Sequence, residues 1–310
     1  MSLALRFLGT AASRPTVERN TAGVAVTREG ETLLVDCGEG TQRQMMRYGV
    51  SFALGDIFFT HMHTDHVLGV VGLTRTLQLQ DRTEPLRLWG PRGSARALRA
   101  AIGIGGERLG FPLEVTEVEP GVPLRRKGYD VVPFAVEHHG APAVGYALVE
   151  EERRGRFDPE QARVLGIPEG PLWGRLHRGQ AVTLDDGRVV EPSTLVGPTR
   201  PGRTVVLTGD TRPCAATVDA ARGADLLVHE ATFADDEAAR AKDTGHSTAR
   251  EAATVARVAE VRRLVLTHIS ARYSHDTRAL EAEARSVFAE SRVARDGMEV
   301  EVPFADVEET

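Results

Sequence analysis

The chain is poor in cysteine and almost without lysine. Its two cysteines, Cys37 and Cys214, stand far apart in 310 residues. That spacing argues against a disulfide framework, and the absence of CxxC excludes the usual thiolate zinc site. Such sparing use of cysteine fits a reducing cytosol, so a cytoplasmic location is expected. No uninterrupted apolar stretch is long enough to span a bilayer, and no membrane role is expected. The opening run Leu3-Ala4-Leu5-Arg6-Phe7-Leu8 is too short for a signal peptide and enters a turn at Gly9-Thr10, so it reads as a first strand. Lysine occurs only at Lys127 and Lys242; the remaining positive charge is arginine. The net charge of −6 does not suggest a nucleic-acid binder. A local basic patch or a bound metal can nevertheless reverse the sign where it matters. With 41% hydrophobic residues a sizeable core is available, and disorder is excluded as the general state.

Strand-like runs occupy 3–8, 23–27, 32–36 and 57–60, separated by Gly-rich or charged turns. Helical patterns follow at 67–80 and 94–102, with strands at 86–89, 113–118, 129–136 and 144–149. From 151 to 203 the chain becomes rich in Gly, Pro and Arg, with little sustained apolar periodicity, and reads as a protrusion. Strands resume at 204–207, 225–228, 263–267 and 298–302, alternating with helical stretches near 214–222, 247–259 and 277–290. Two strand-rich halves, each with its own helices, imply a sheet-on-sheet core covered by helices.

The densest chemistry is His61-Met62-His63-Thr64-Asp65-His66, directly after a strand. Residues two apart in an extended segment point the same way, so His61 and His63 can face one ion. If the chain then turns into a helix, Asp65 and His66 swing toward a second. Imidazole and carboxylate together suit zinc, with manganese or iron also compatible. Other candidate ligands close later strands: the pair His138-His139, Asp210 and His268. Any one of them alone is more often structural; together with the first cluster they suffice for two metals.

His61 to His66 resembles the HxHxDH signature of metallo-β-lactamase-fold hydrolases. Within that group, four further segments resemble ribonuclease Z: Leu34 to Gln42, Gly209-Asp210-Thr211, His229-Glu230-Ala231-Thr232-Phe233, and Leu266 to Tyr273. The segment His229 to Phe233, followed by His246-Ser247-Thr248, is the more specific part. The resemblance implies an α/β protein, an αββα sandwich with a protruding flexible arm, as one domain over residues 1–310 with the arm inserted at 151–203. It implies two Zn2+ per subunit. His61, His63 and one histidine of the 138–139 pair would hold the first, and Asp65, His66 and His268 the second, with Asp210 bridging. The interval to Gly145-Tyr146 favours His139, while the register through Val136-Glu137 is equally compatible with His138.

The implied activity is endonucleolytic removal of the 3′ trailer from precursor tRNA, leaving a 3′-hydroxyl on the tRNA and a 5′-phosphate on the trailer. Asp65 would orient the attacking water, and His246, paired with Glu230, would protonate the leaving oxygen. The polar loop from Ser13 to Thr21 resembles the family's loop near the RNA acceptor end, so Arg19 and Asn20 are candidate RNA contacts, as is Arg272 beside His268. In 151–203, arginines outnumber acidic residues, which points to an anionic partner. The stretch from Leu165 to Leu176 resembles the tip of the ribonuclease Z arm, with Gly170, Pro171, Arg175 and Arg178 as its RNA contacts. Trp173 reads as that module's own core in preference to a base-stacking platform. The resemblance also implies a homodimer, the arm of one subunit holding the tRNA at the other's active site.

Overall fold

The computed structural model describes residues 2–305, except 105, 107 and 141. In chain order its strands are β1 (Leu3–Gly9), β2 (Gly23–Arg28), β3 (Glu31–Val35), β4 (Leu54–Phe58), β5 (Leu86–Gly90) and β6 (Leu113–Glu117). Then come β7 (Leu124–Arg126), β8 (Tyr129–Ala135), β9 (Val144–Glu150), β10 (Val182–Thr183) and β11 (Val189–Val190). The last five are β12 (Thr204–Leu207), β13 (Leu226–Glu230), β14 (Leu264–Thr267), β15 (Ser291–Val293) and β16 (Glu299–Glu301).

Met1–Val149 and Arg203–Pro303 form the main unit. It holds two seven-stranded sheets, ordered β16-β1-β2-β3-β4-β5-β6 and β15-β14-β13-β12-β9-β8-β7. Each is antiparallel on one side and parallel on the other: β1, β2 and β3 alternate while β3 to β6 run together, and β9 opposes β12 while β12 to β15 run together. Parallel neighbours require long crossovers, which here carry the helices onto the outer faces.

Period-two alternation sorts the side chains into three apolar layers. Phe7, Val35, Phe58, Leu207 and Val228 meet between the sheets. Their neighbours Leu8, Leu34 and Ile57 face outward onto the helices carrying Met45, Leu73, Leu77 and Leu98. On the other sheet Val206, Leu227 and Leu266 pack against Ala249, Ala252, Ala253 and Ala256. Alanine is small enough to let that helix lie close to the strands. This is the expected αββα sandwich. No helix among the described residues is long and apolar enough to cross a membrane.

Glu150–Gly202, with Phe304 and Ala305, form a second compact unit. It has its own core of Ala162, Ile167, Leu176, Val182, Leu184, Val190 and Leu195. Trp173 packs on that core, its ring 5.3 Å from Phe157 and its Nε1 donating to Ile167 O at 3.1 Å.

Candidate metal centre

Beyond β4 the chain reaches His61 and His63; His63 then caps a short helix, Thr64–Val67. That turn brings Asp65 and His66 round beside the first two histidines. The helix entry fits because Gly38 and Gly69 lack side chains: a Cβ on Gly69 would stand 1.9 Å from Gly38 O. On the second sheet Gly209, with φ +63°, passes against Thr60 where a Cβ would clash at 2.5 Å, and so delivers Asp210 to the site. His268 follows β14 in the left-handed region, φ +57°. Such backbone strain in a β-strand's extension is found where the surroundings impose it.

Asp210 reaches two groups with separate oxygens. Its Oδ2 lies 3.5 Å from His61 Nε2 and 4.0 Å from His138 Nε2. Its Oδ1 lies 3.4 Å from His66 Nε2 and 3.3 Å from His268 Nε2. His63 Nδ1 is 3.3 Å from His138 Nε2, and Asp65 Oδ2 is 3.3 Å from His268 Nε2. The donor atoms of His61, His63, His138 and Asp210 all lie within 4.8 Å of one another, as do those of Asp65, His66 and His268.

Hydrogen bonds outside the cluster engage Nδ1 of four of the five rings, His61, His66, His138 and His268. His66 Nδ1 donates to Asp36 Oδ2 at 2.8 Å, and His138 Nδ1 to Gly245 O at 3.0 Å. Thr60 Oγ1 donates to Asp36 Oδ2 at 2.9 Å, so it accepts from His61 Nδ1 at 3.1 Å. Thr232 Oγ1 donates to Glu230 Oε2 at 2.9 Å, so it accepts from His268 Nδ1, also at 2.9 Å. Nε2 of His61, His66, His138 and His268 is thereby the atom each ring would offer a metal, and these nitrogens face one another and two carboxylates. His61 Nε2 and Asp210 Oδ1 are buried without any hydrogen-bond partner. Orphaned buried acceptors that converge on common points fit a cation, and the N/O donor set fits zinc and its neighbours in the first row. Neither cysteine belongs to these groups; both are free, Cys37 buried and Cys214 partly so.

Charge agrees with this. Burial, with His66 beside it, lowers His61 to about 2, so the ring is neutral. Burial alone would raise Asp210, but His268, His66 and His61 hold its carboxyl well below the usual range. His66 is depressed by burial yet raised well above its ordinary value by Asp210 and Asp36. Its proton offsets those carboxylates, and a metal cation on the same atoms would take over that role.

Behind the cluster, Glu230 is fully buried and accepts four hydrogen bonds. Oε1 takes His246 Nδ1 at 2.8 Å and Thr211 N at 3.1 Å; Oε2 takes Thr232 N at 3.1 Å and Thr232 Oγ1. Burial works against its charge, but His246 outweighs this and keeps the carboxyl low. In return burial depresses His246 while Glu230 raises it, to about 9. The His246 ring stacks on His268, centroids 5.2 Å apart.

Two expectations need correction. The histidine brought to the cluster is His138, not His139. Val132 and Phe134 of β8 and Val136 just beyond it share one face, and an isolated bridge between Glu137 and Arg212 keeps the chain extended, so His138 stays in phase with them. At Gly140, φ +86°, the chain turns, and His139 is left exposed. Arg19 does not point to solvent as an RNA contact. It is 7% exposed, and its Nη1 donates to Thr10 Oγ1 and to Ala294 O, each at 2.7 Å.

Asn20 Nδ2 donates to Glu39 O at 2.8 Å and braces the neighbouring loop. Arg272 is exposed and paired with Glu237. Gly170, Pro171, Arg175 and Arg178 are all exposed on the second unit. There Arg163 pairs with Glu160 and Glu169, and Arg188 with Asp186, whereas Arg175 and Arg178 have no acidic partner among the described residues. Counting Glu151 and Glu152, the stretch 151–203 sets nine arginines against eight acidic residues, so its positive surplus is one charge.

Sequence reasoning assigned no role to Asp36, Thr60, Thr232 or Ser13. Ser13 N donates to Asp65 Oδ2 at 2.7 Å. The available signal was an aspartate closing the apolar run Leu33-Leu34-Val35, and threonines adjoining each histidine motif.

Comparison with known proteins agrees with this geometry. Residues 3–148 match the family model described as anti-Pycsar protein Apyc1, and residues 193–269 match that of a beta-lactamase superfamily domain. The human tRNase Z, short form, superposes with a TM-score of 0.71 at 27% identity, over 97% of this chain and all of that one. The chain is 66% identical to the ribonuclease Z of Gemmatimonas aurantiaca over 99% of its own length and 98% of that protein's. It is 52% identical to that of Myxococcus xanthus over 98% and 99%. Full-length identity at this level, on a metallo-β-lactamase fold with this histidine and aspartate cluster at its strand ends, places the chain in the ribonuclease Z family.

Proposed function

We propose that the chain is a metal-dependent endoribonuclease that removes the 3′ trailer from precursor tRNA, leaving a 3′-hydroxyl on the tRNA and a 5′-phosphate on the trailer. The observation that carries this is the Glu230–His246 pair, set beside two ligand groups that Asp210 joins. Residues 3–148, which match the anti-Pycsar protein Apyc1 model, include neither member of that pair.

His61, His63, His138 and Asp210 would hold one zinc, and Asp65, His66, His268 and Asp210 a second. Two such ions supply an activated water and a positive clamp for the scissile phosphate. The remaining work belongs to the side chains. Asp65, held by Ser13 N, orients the water for in-line attack on phosphorus. His246 is protonated near neutral pH, and its Nδ1 is committed to Glu230. The proton therefore leaves from Nε2 to the ribose 3′ oxygen as the P–O bond breaks. Buried Glu230 stays ionised and steadies the imidazolium until then.

Gly170, Pro171, Arg175 and Arg178 of the second unit, and Asn20 and Arg272 of the main unit, are the RNA contacts in this reading. We infer a homodimer in which the second unit of one subunit holds the tRNA cut by the other. A cytoplasmic location accords with two free thiols. The test is incubation of the purified protein with a trailer-bearing tRNA, with and without a chelator, and mapping of both new ends. Cleavage at the trailer junction, lost on chelation, is expected; cleavage elsewhere or resistance to chelation overturns the reading.

A further inference from the structure

Arg212 lies two residues beyond Asp210, and its donors are directed at the segments that carry His138 and His246. Its backbone N donates to Glu137 O at 2.7 Å, in the bridge that keeps the chain extended up to His138. Its guanidinium makes a fork. Nη1 donates to His246 O at 2.5 Å and to Glu251 Oε2 at 2.7 Å, and Nη2 donates to Glu251 Oε1.

Glu251 is not a casual surface partner. It closes the capping box of the helix Ala249–Val258, accepting from Thr248 N at 2.9 Å while Thr248 Oγ1 accepts from Glu251 N at 3.2 Å. The neighbouring Ser247 Oγ donates to Thr211 O at 2.6 Å. His246 therefore sits between a left-handed glycine, Gly245, and a helix cap. Its ring is held by Glu230 and its carbonyl by Arg212. His246 N also donates to Ala241 O at 2.8 Å, so the segment keeps one further tether if the fork is lost.

We propose that Arg212 is a positioning residue for proton transfer: its fork fixes the His246 backbone on the strand end that carries Asp210, and so aims the imidazole at the leaving oxygen. This rests on the reading of His246 as the proton donor. The planar fork binds a carbonyl and a bidentate carboxylate together, which a lysine ammonium on a flexible stem does not reproduce.

The test compares wild type, Arg212→Ala, Arg212→Lys and His246→Ala on two substrates, with metal content and folding measured for each. One substrate is a trailer-bearing tRNA in single turnover at saturating enzyme, whose ribose leaving oxygen needs a proton. The other is bis(p-nitrophenyl) phosphate, whose nitrophenolate departs without one. Arg212→Ala is expected to slow the tRNA step by about 10-fold or more, a misalignment-sized effect, and to change the nitrophenyl reaction far less. Arg212→Lys should follow the same pattern with a smaller loss, and it carries the test if the alanine variant folds poorly. Equal loss on both substrates, or no loss on tRNA, in a folded and metal-replete Arg212 variant overturns the proposal. If His246→Ala is selective and the Arg212 variants are not, only the Arg212 proposal falls. If His246→Ala loses both reactions equally, the proton-donor reading falls and takes this proposal with it.

Discussion

Side chains that only hold the site matter here almost as much as those that form it. Asp36, itself at φ +59°, accepts from Thr60 N at 2.8 Å and from the ring of His66, so one buried carboxylate orients two ligand segments. Partners of this kind commonly change metal affinity or activity 10–100-fold when removed. The clustering of His61, His63, Asp65 and His66 was legible because HxHxDH combines strand and helix spacing within six residues. The choice within His138-His139 was not, because it depends on where extension ends, and that is set by Arg212, far along the chain. Arg19 misled for a similar reason: its carbonyl partner, Ala294, is distant in sequence. We expect His63→Ala and His138→Ala each to abolish tRNA cleavage and lower metal content, and His139→Ala to stay within about threefold of wild type. Metal analysis beside a rate measurement checks this, and a His139 variant that is dead while a His138 variant is active would reverse the assignment.

At the level of elements, short apolar runs bounded by turns made most strands readable, and helical spacing did the same for the three helical stretches of the second half. The helix Thr41–Arg47 was not, because it starts after a left-handed Gly40 with no side-chain cap to announce it. In the second unit, strands two residues long and core positions at irregular intervals leave no period to detect. That unit has a core of its own and carries none of the proposed zinc ligands, so the two labours can be separated. Replacing residues 155–180 alone would break its core by removing Ala162, Ile167 and Leu176; replacing 151–202 with a short Gly-Ser linker removes that core whole. We expect this variant to lose precursor-tRNA binding severely and to keep hydrolysis of bis(p-nitrophenyl) phosphate. Wild-type affinity should also fall more steeply with salt than that of the variant. Equal loss of both activities would assign the unit to folding support, and unchanged tRNA processing would leave it no part in RNA binding.

For the whole molecule, the proposed ligands divide between the sheets: His61 to His66 follow β4 of one, while His138, Asp210 and His268 follow strands of the other. Metal bound at both groups would tie the two halves of the sandwich together, and its binding energy would count as folding energy. Stripping the metal should therefore lower the Tm of the main unit by about 5–15 °C, and re-addition should restore it. Calorimetry on stripped and reloaded protein decides it; an unchanged Tm would mean that the sheets hold the site and gain nothing from it. The same division sets an order of events while the chain is being made. His61 is synthesised about 200 residues before His268, an interval of roughly 10–40 s at ordinary translation speeds. If His268 completes the second of two proposed metal sites, that site lacks a donor until residue 268 emerges, and neither Glu230 nor His246 has met the early histidines for most of that time. On that reading a ribosome-bound chain, surrounded by RNA, would carry an unarmed enzyme, and any fragment cut short before residue 268 would stay unarmed for good.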